Sequence, residues 1–450
     1  MNGSYTVATL MQTLFLEEAP AVAQKTGFQK RASKLRPDQF VQAVVMGLLA
    51  NPDSSLDELA QTAAQVDAPV SAQAIDQRFT ARAVEFFKEL LLRAVRYVVQ
   101  ADDPVTAALL NRFARVSLQD STTISLPPEF EGQYRGCGGS TEQTGKAALK
   151  FQLRLDLLRG GLEAIRIEEG RQCDQSTTLQ TEAIEPGSLH LRDLGYFDLE
   201  VLRTIAGQGA YFVSRLNDQT SVLAAETERP LDLVDWLSHL AKRTRAIERH
   251  VAIGAEHRLR CRLIAIRVPP AIAARRRRAL RKRAQKKGYT PSARKLALCD
   301  WNVYVTNASG ELLSIEEVVV FARLRWQIEL VFKHWKSDGK LARSRSQKPH
   351  RILSEVFAKL LGLILEHWVL LQSCWNEFRI SLRRASKTVR RCAMLILATF
   401  RGAAAFAGTM EVVRKRLAKA ARKEKRRQHP SAFQLVENPT IYGLSSSDCN

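Results

Sequence analysis

Three side chains of one short stretch have the types and spacing of a phosphate-handling site. In Phe321-Ala322-Arg323-Leu324-Arg325-Trp326-Gln327-Ile328-Glu329-Leu330-Val331-Phe332-Lys333-His334-Trp335-Lys336, Arg325 precedes Glu329 by four residues and Glu329 precedes Lys336 by seven. The spacing predicts a single helix here, on which the three project along nearly one line. Phe321, Leu324, Ile328, Val331 and Trp335 follow the same period and form an apolar stripe about 100° away. A carboxylate between two cations at the rim of that stripe is compatible with an ordinary ion-paired edge. It is equally compatible with a metal ligand beside a bound phosphate.

Two further acids fall at the ends of expected strands. Val116-Ser117-Leu118-Gln119-Asp120 reads as a short strand ending in an acid, and Leu189-His190-Leu191-Arg192-Asp193 as another. Carboxylates on adjacent strand tips, joined by one on a helix, can bind two hard cations through oxygen. Two Mg²⁺ ions about 3.5–4 Å apart can activate an attacking oxygen and stabilise a leaving one in phosphoryl transfer. The chain has 46 acids, and strand-end aspartates are common caps, so spacing alone leaves both readings open.

The elements that must position these residues change character along the chain. Residues 1–112 read as helical, with helices over Gln39–Ala50, Ser55–Ala64, Ser71–Arg78 and Arg82–Val99. Lys30, Arg31, Lys34 and Arg36 precede them, so this region is either a packing module or a DNA-contacting or dimerising arm. Residues 113–216 alternate strand and helix: strands over Ala148–Asp156, Leu162–Ile167 and Ala210–Arg215, helices over Ser176–Ile184 and Phe197–Ile205. That alternation predicts an α/β fold with a mixed sheet.

Residues 217–310 break the rhythm, with strands expected at Arg249–Ala255, Arg260–Val268 and Trp301–Thr306. Nine of the thirteen residues from Arg275 to Lys287 are basic, a run that self-repels as a bare helix and suits a phosphate backbone. Trp236 in this segment is either a base-stacking residue or a core residue. In 311–375, Ser314-Ile315-Glu316-Glu317 is a capping box and Ile352–Cys374 an apolar helix. In 376–450, Arg383–Arg391 and Arg414–Arg427 are basic helical segments.

The 450 residues are 45% hydrophobic, which excludes a disordered chain, and carry a net charge of +22, which calls for a polyanionic partner. Seven cysteines without a CxxC pair argue against a zinc site or a disulfide framework. No signal peptide is apparent, and the apolar run Leu360–Leu371 is interrupted by Glu366 and His367. A soluble intracellular protein is expected.

Asp120-Ser121-Thr122 with Leu126-Pro127, then Asp193-Leu194-Gly195-Tyr196-Phe197, then Arg325-Trp326-Gln327-Ile328-Glu329, resemble in order and internal spacing the insertion-sequence-four family of DDE transposases. Arg325, Glu329 and Lys336 occupy the matching positions of that family's Y-x2-R-x3-E-x6-K signature. Ser71–Phe79 and Gly207–Arg215 extend the similarity over most of the chain. The resemblance implies an RNase H-like catalytic core interrupted by a β-rich insertion, flanked by helical N- and C-terminal regions. It implies that Asp120, Asp193 and Glu329 bind two Mg²⁺ ions, for which Mn²⁺ can substitute. Arg325, Lys336 and Lys333, with Arg215 and the run Arg275, Arg276, Arg277 and Arg278, would hold DNA. A homodimer pairing two transposon ends, in the bacterial cytoplasm at the nucleoid, would be the working form. One position departs: the signature's Tyr falls at Ala322. A DNA-binding descendant that no longer cleaves, and an RNase H-like nuclease without strand transfer, are the alternatives.

Overall fold

The structure is a computed structural model that describes residues 3–138, 145–240, 244–377, 379–423 and 430–442. Its strands, in chain order, are β1 (Val116–Leu126), β2 (Ala147–Asp156), β3 (Leu162–Glu169), β4 (Leu189–Arg192), β5 (Tyr211–Arg215), β6 (Val222–Ala224), β7 (Ala246–Ile253), β8 (Leu259–Arg267) and β9 (Trp301–Thr306). The chain forms two compact units. One contains Met1–Thr106, Ser121–Cys173 and Ile328–Glu424; the other contains Ala107–Asp120, Asp174–Gln327 and Lys425–Asn450. The fold is mixed α/β, and no helix among the described residues is long and apolar enough to cross a membrane.

In the first unit the helix Pro349–Cys374 is buried along nearly its whole length. It packs against the helices Pro37–Ala50 and Ala81–Arg96. Gly362 permits one of these approaches, because a Cβ there would stand 3.3 Å from the Val45 carbonyl and 3.4 Å from Leu49. Local chemistry starts the helices. Pro37 opens the first, Ser55 and Glu58 cap each other ahead of Leu56–Ala64, and Ser71 and Thr80 cap the next two. Phe28, Phe40, Phe86 and Phe87 stack beneath them. The unit's strands run in the order β3–β2–β1, with β2 and β3 antiparallel. Gly160 makes their turn at φ +71°, where a Cβ would collide with Leu371 and Trp375.

In the second unit the order is β1–β4–β5–β9–β8–β7–β6. β1, β4 and β5 are parallel, and β9, β8, β7 and β6 continue antiparallel. Phe212, Leu202, Ile205, Val251, Leu263 and Val305 centre its core, and Trp236 packs on that core with Arg249 above its ring at 5.8 Å. Trp236 is half-buried at the margin of that core.

Four expectations need correction. The stretch Phe321–Lys336 is two helices, Ile315–Leu324 and Trp326–Ser337, parted by a one-residue turn at Arg325. The apolar stripe does run through both, with Phe321, Leu324, Ile328, Val331 and Trp335 all buried, so periodicity does not register the turn. β1 does not end at Asp120 but continues to Leu126, because Thr122, Ile124 and Leu126 alternate inward. Ser176–Ile184 is not a helix. It holds two short 3₁₀ turns, Asp174–Ser176 and Thr178–Gln180, whose polar groups bond outward: the Gln175 amide to the Phe197 carbonyl and the Gln180 carbonyl from Arg192. The basic helix containing Arg414 ends at Ala420, and residues 424–427 of the expected segment lie outside the described residues.

Candidate active site

Sheet register gathers the second unit's polar residues into one row. β1 pairs with β4 through Leu118 opposite Leu191, and two further steps bring Asp120 level with Asp193. β4 pairs with β5 through Arg192 opposite Ser214, so Asp193 is level with Arg215. Arg215 is directly opposite Tyr304 on β9. Residues level across neighbouring strands share a face. Asp120, Asp193, Arg215 and Tyr304 therefore form a line across the sheet that passes the carboxyl ends of the parallel strands β4 and β5, where open α/β sheets bind ligands.

Arg192 helps fix this register. Its buried guanidinium donates to Gln119 Oε1 at 2.5 Å and to the Gln180 carbonyl at 2.8 Å, joining β1, β4 and the turn between them. Arg325 stands over the aspartate pair, with Nη1 3.7 Å from Asp120 Oδ2 and Nε 3.8 Å from Asp193 Oδ1. Asp193, Ser214, Arg215, Arg276, Asn302, Tyr304, Ala322 and Arg325 line a cavity of about 210 Å³. Burial lowers the pKa of Arg276, and the neighbouring Arg215 lowers it further. Burial raises that of Tyr304 against the pull of Arg215, Arg276, Arg323 and Arg325.

The residues singled out from the sequence are distributed as follows. Asp120, Asp193, Arg215, Arg276 and Arg325 come together in the second unit. Arg275 and Arg278 are exposed on the helix Pro270–Lys286, whereas Arg277 is paired with Asp300 at 2.5 Å. Glu329, Lys333 and Lys336 lie on the helix Trp326–Ser337 within the first unit's segment, Glu329 half-buried and both lysines exposed. Sequence reasoning missed Tyr304 and Asn302. Their two-residue spacing on β9 marks one face of a strand, but only the register with β5 reveals which face.

Two hard-oxygen donors that already attract one cation suit a divalent metal in donor chemistry. Among the described residues, no group of three or more His, Cys, Asp or Glu side chains is arranged to hold a metal.

Comparison with known proteins identifies the family. Residues 111–365 match the family described as "Transposase DDE domain". The chain is 28% identical over 370 residues to the transposase for insertion sequence element IS231B of Bacillus thuringiensis subsp. berliner, spanning 78% of this chain and 76% of that relative. It is 25% identical over 389 residues to the transposase for insertion sequence element IS1151 of Clostridium perfringens, 82% of this chain and 81% of that one. The putative transposase InsL for element IS186A of Escherichia coli (strain K12) is 35% identical over 104 residues, 23% of this chain and 28% of that one. The chain belongs to the DDE transposase family, and its resemblance to the insertion-sequence-four group is consistent with that membership.

Proposed function

We propose that this protein is a metal-dependent DNA transposase that cleaves the 3′ strand at terminal inverted repeats and joins the freed 3′-OH to target DNA. The observation that carries the reading is Asp120, midway along β1, level with Asp193 just past the end of β4, in a chain whose relatives are insertion-sequence transposases. An RNase H-like core is supported by the order β3–β2–β1 in one unit and β1–β4–β5 in the other.

Asp120, Asp193 and Glu329 would hold two Mg²⁺ ions, or Mn²⁺ in their place. When bound, the ions supply Lewis acidity at the scissile phosphate and favour deprotonation of the attacking oxygen. The two aspartates fix the donor oxygens on neighbouring strands. Arg325 shields their mutual repulsion and can turn to a phosphate, while Lys333 and Lys336 neutralise backbone phosphates further along the helix. Exposed Arg275 and Arg278 would extend the DNA path. Two copies would pair two ends.

The test is incubation of the purified protein with its own terminal-repeat DNA and Mg²⁺. Asp193→Ala should lose nicking by roughly a thousandfold or more, the worth of several kcal/mol of metal-borne charge stabilisation. Unimpaired cleavage by that variant would remove the assignment. Nicked ends that never join a target plasmid would indicate a nuclease instead. Binding without any metal-dependent nicking would favour the inactive descendant, which Ala322 alone suggests.

A further inference from the structure

We propose that the helix Leu382–Arg391 is part of the cleavage machinery: through Arg383, Ser386 and Arg390 it fixes the rotation of the helix Trp326–Ser337 and so sets the direction of the Glu329 carboxylate. His334 and Asp338 are the positioning residues through which it acts. The inference deepens the transposase reading and rests on it for the metal role of Glu329.

Apolar packing holds the helix Trp326–Ser337 down without fixing how it is turned. Ile328, Val331, Phe332 and Trp335 are buried, but burial of apolar surface is non-directional. The helix does not continue from the one before it, since the chain turns at Arg325. Directional contacts are supplied at its carboxyl end. Arg383, Ser386 and Arg390 are three and four residues apart, hence on one face of their helix. The His334 ring has Nδ1 3.3 Å from Asp338 Oδ2, and Nε2 2.8 Å from Glu366 Oε1 and 2.5 Å from Ser386 Oγ. Arg390 Nε donates to Glu366 Oε2 at 2.7 Å, and its Nη1 donates to the Asp338 carbonyl. Arg383 grips the Asp338 carboxylate with two bonds, of 2.8 and 3.1 Å. The side chains of His334, Asp338, Glu366 and Arg390 are 13% exposed or less, so the group is largely out of water.

Magnitudes say why rotation matters here. Glu329 precedes His334 by five residues, about 7.5 Å along the axis and about 140° round it. These residues therefore lie behind the carboxylate and steer it without touching a metal. At a side-chain radius of about 6 Å, a turn of about 20° moves a carboxylate by roughly 2 Å. Mg²⁺ takes its ligands at about 2.0–2.1 Å in near-ideal octahedral geometry. Such a turn would detach Glu329 while the helix stayed folded. Loss of these contacts should thus appear in metal affinity before it appears in stability.

The test uses Ser386→Ala and Arg383→Gln, singly and combined, with Val389→Ala as the control. Ser386 and Val389 are both fully buried on the same helix, but the Val389 side chain contributes only packing. Arg383 is exposed, so its replacement leaves the fold intact, which urea unfolding checks. Two midpoints are measured on the full chain with its terminal-repeat duplex. One is the Mg²⁺ concentration for half-maximal nicking; the other is that for Mn²⁺ uptake by the protein–duplex complex, followed by EPR with the duplex signal subtracted. The combined variant should need about tenfold more of either metal, the usual cost of losing groups that orient a metal ligand. Its duplex affinity in EDTA should stay that of wild type. Arg383→Lys in place of Arg383→Gln keeps a cation at Asp338 and should recover part of the shift. Val389→Ala should lower stability and leave both midpoints in place. The proposal is overturned if the combined variant has wild-type midpoints, if Val389→Ala shifts them equally, or if the wild-type complex takes up no Mn²⁺. Failed nicking by wild type with the Mn²⁺ difference intact would instead remove the transposase reading alone.

Discussion

Arg325 stands 3.7 Å from one aspartate and 3.8 Å from the other, beyond good hydrogen-bond reach but near enough that each carboxylate feels its charge. Its partners' side chains are 18% and 37% exposed, so solvent screens the attraction. Arg325→Gln should therefore cost less than about 1 kcal/mol of stability in urea unfolding. Its effect on DNA should be larger in kind. One lost phosphate contact makes the slope of log affinity against log salt shallower by about one. An unchanged slope would mean that Arg325 serves only the aspartates. At this scale Asp193 was readable as a strand-end acid, since a four-residue strand with alternating leucines is followed by Asp-Leu-Gly, which announces its end. Asp120 was readable as an acid on a strand but not as a mid-strand residue, because Ser121-Thr122-Thr123 looks like loop composition while its backbone stays paired.

The helix Trp326–Ser337 is anchored by a buried polar knot in its own unit. Glu366 accepts from Arg390 Nε at 2.7 Å, is 2.8 Å from His334 Nε2 and accepts from Ser386, all largely out of water. Burial alone would raise the Glu366 pKa, but His334 and then Arg390 outweigh it and bring it to about 2. Glu366→Ala strands Arg390 and should cost about 3–5 kcal/mol in urea unfolding. The pH dependence follows from the lowered pKa. The stability that Glu366 contributes is present above its unfolded value near 4.5 and is lost as pH falls from there toward about 2. Acid unfolding of Glu366→Gln should lack that component; an identical acid profile would show that the pair is not maintained. From the sequence Glu366 was visible only as an interruption of an apolar run. Its partners lie 32, 20 and 24 residues away, beyond any local pattern. The turn at Arg325 was hidden for the opposite reason: both helices bury the same stripe, so the period crosses it unbroken.

For the whole molecule the dominant feature is charge. At +22, DNA affinity should fall by about 10³ to 10⁵ between 50 and 200 mM salt if 6–10 phosphates are neutralised. A nearly flat salt titration would contradict a backbone-following surface. The mixed α/β character and the family membership were legible because strand texture and ordered motifs are local properties. The cavity of Arg215, Arg276, Asn302 and Tyr304 was not, because it exists only after register aligns β5 with β9 and Arg276 of the basic run turns toward Asn302. Whether Glu329 joins Asp120 and Asp193 around metal is the central question. Replacing Mg²⁺ by Fe²⁺, with ascorbate and peroxide, generates radicals that cut the backbone at the metal. Fragment mapping should then find cuts near residues 120, 193 and 329 together, all suppressed by excess Mg²⁺. Cuts near 120 and 193 without 329, or cuts insensitive to Mg²⁺, would contradict a three-acid site.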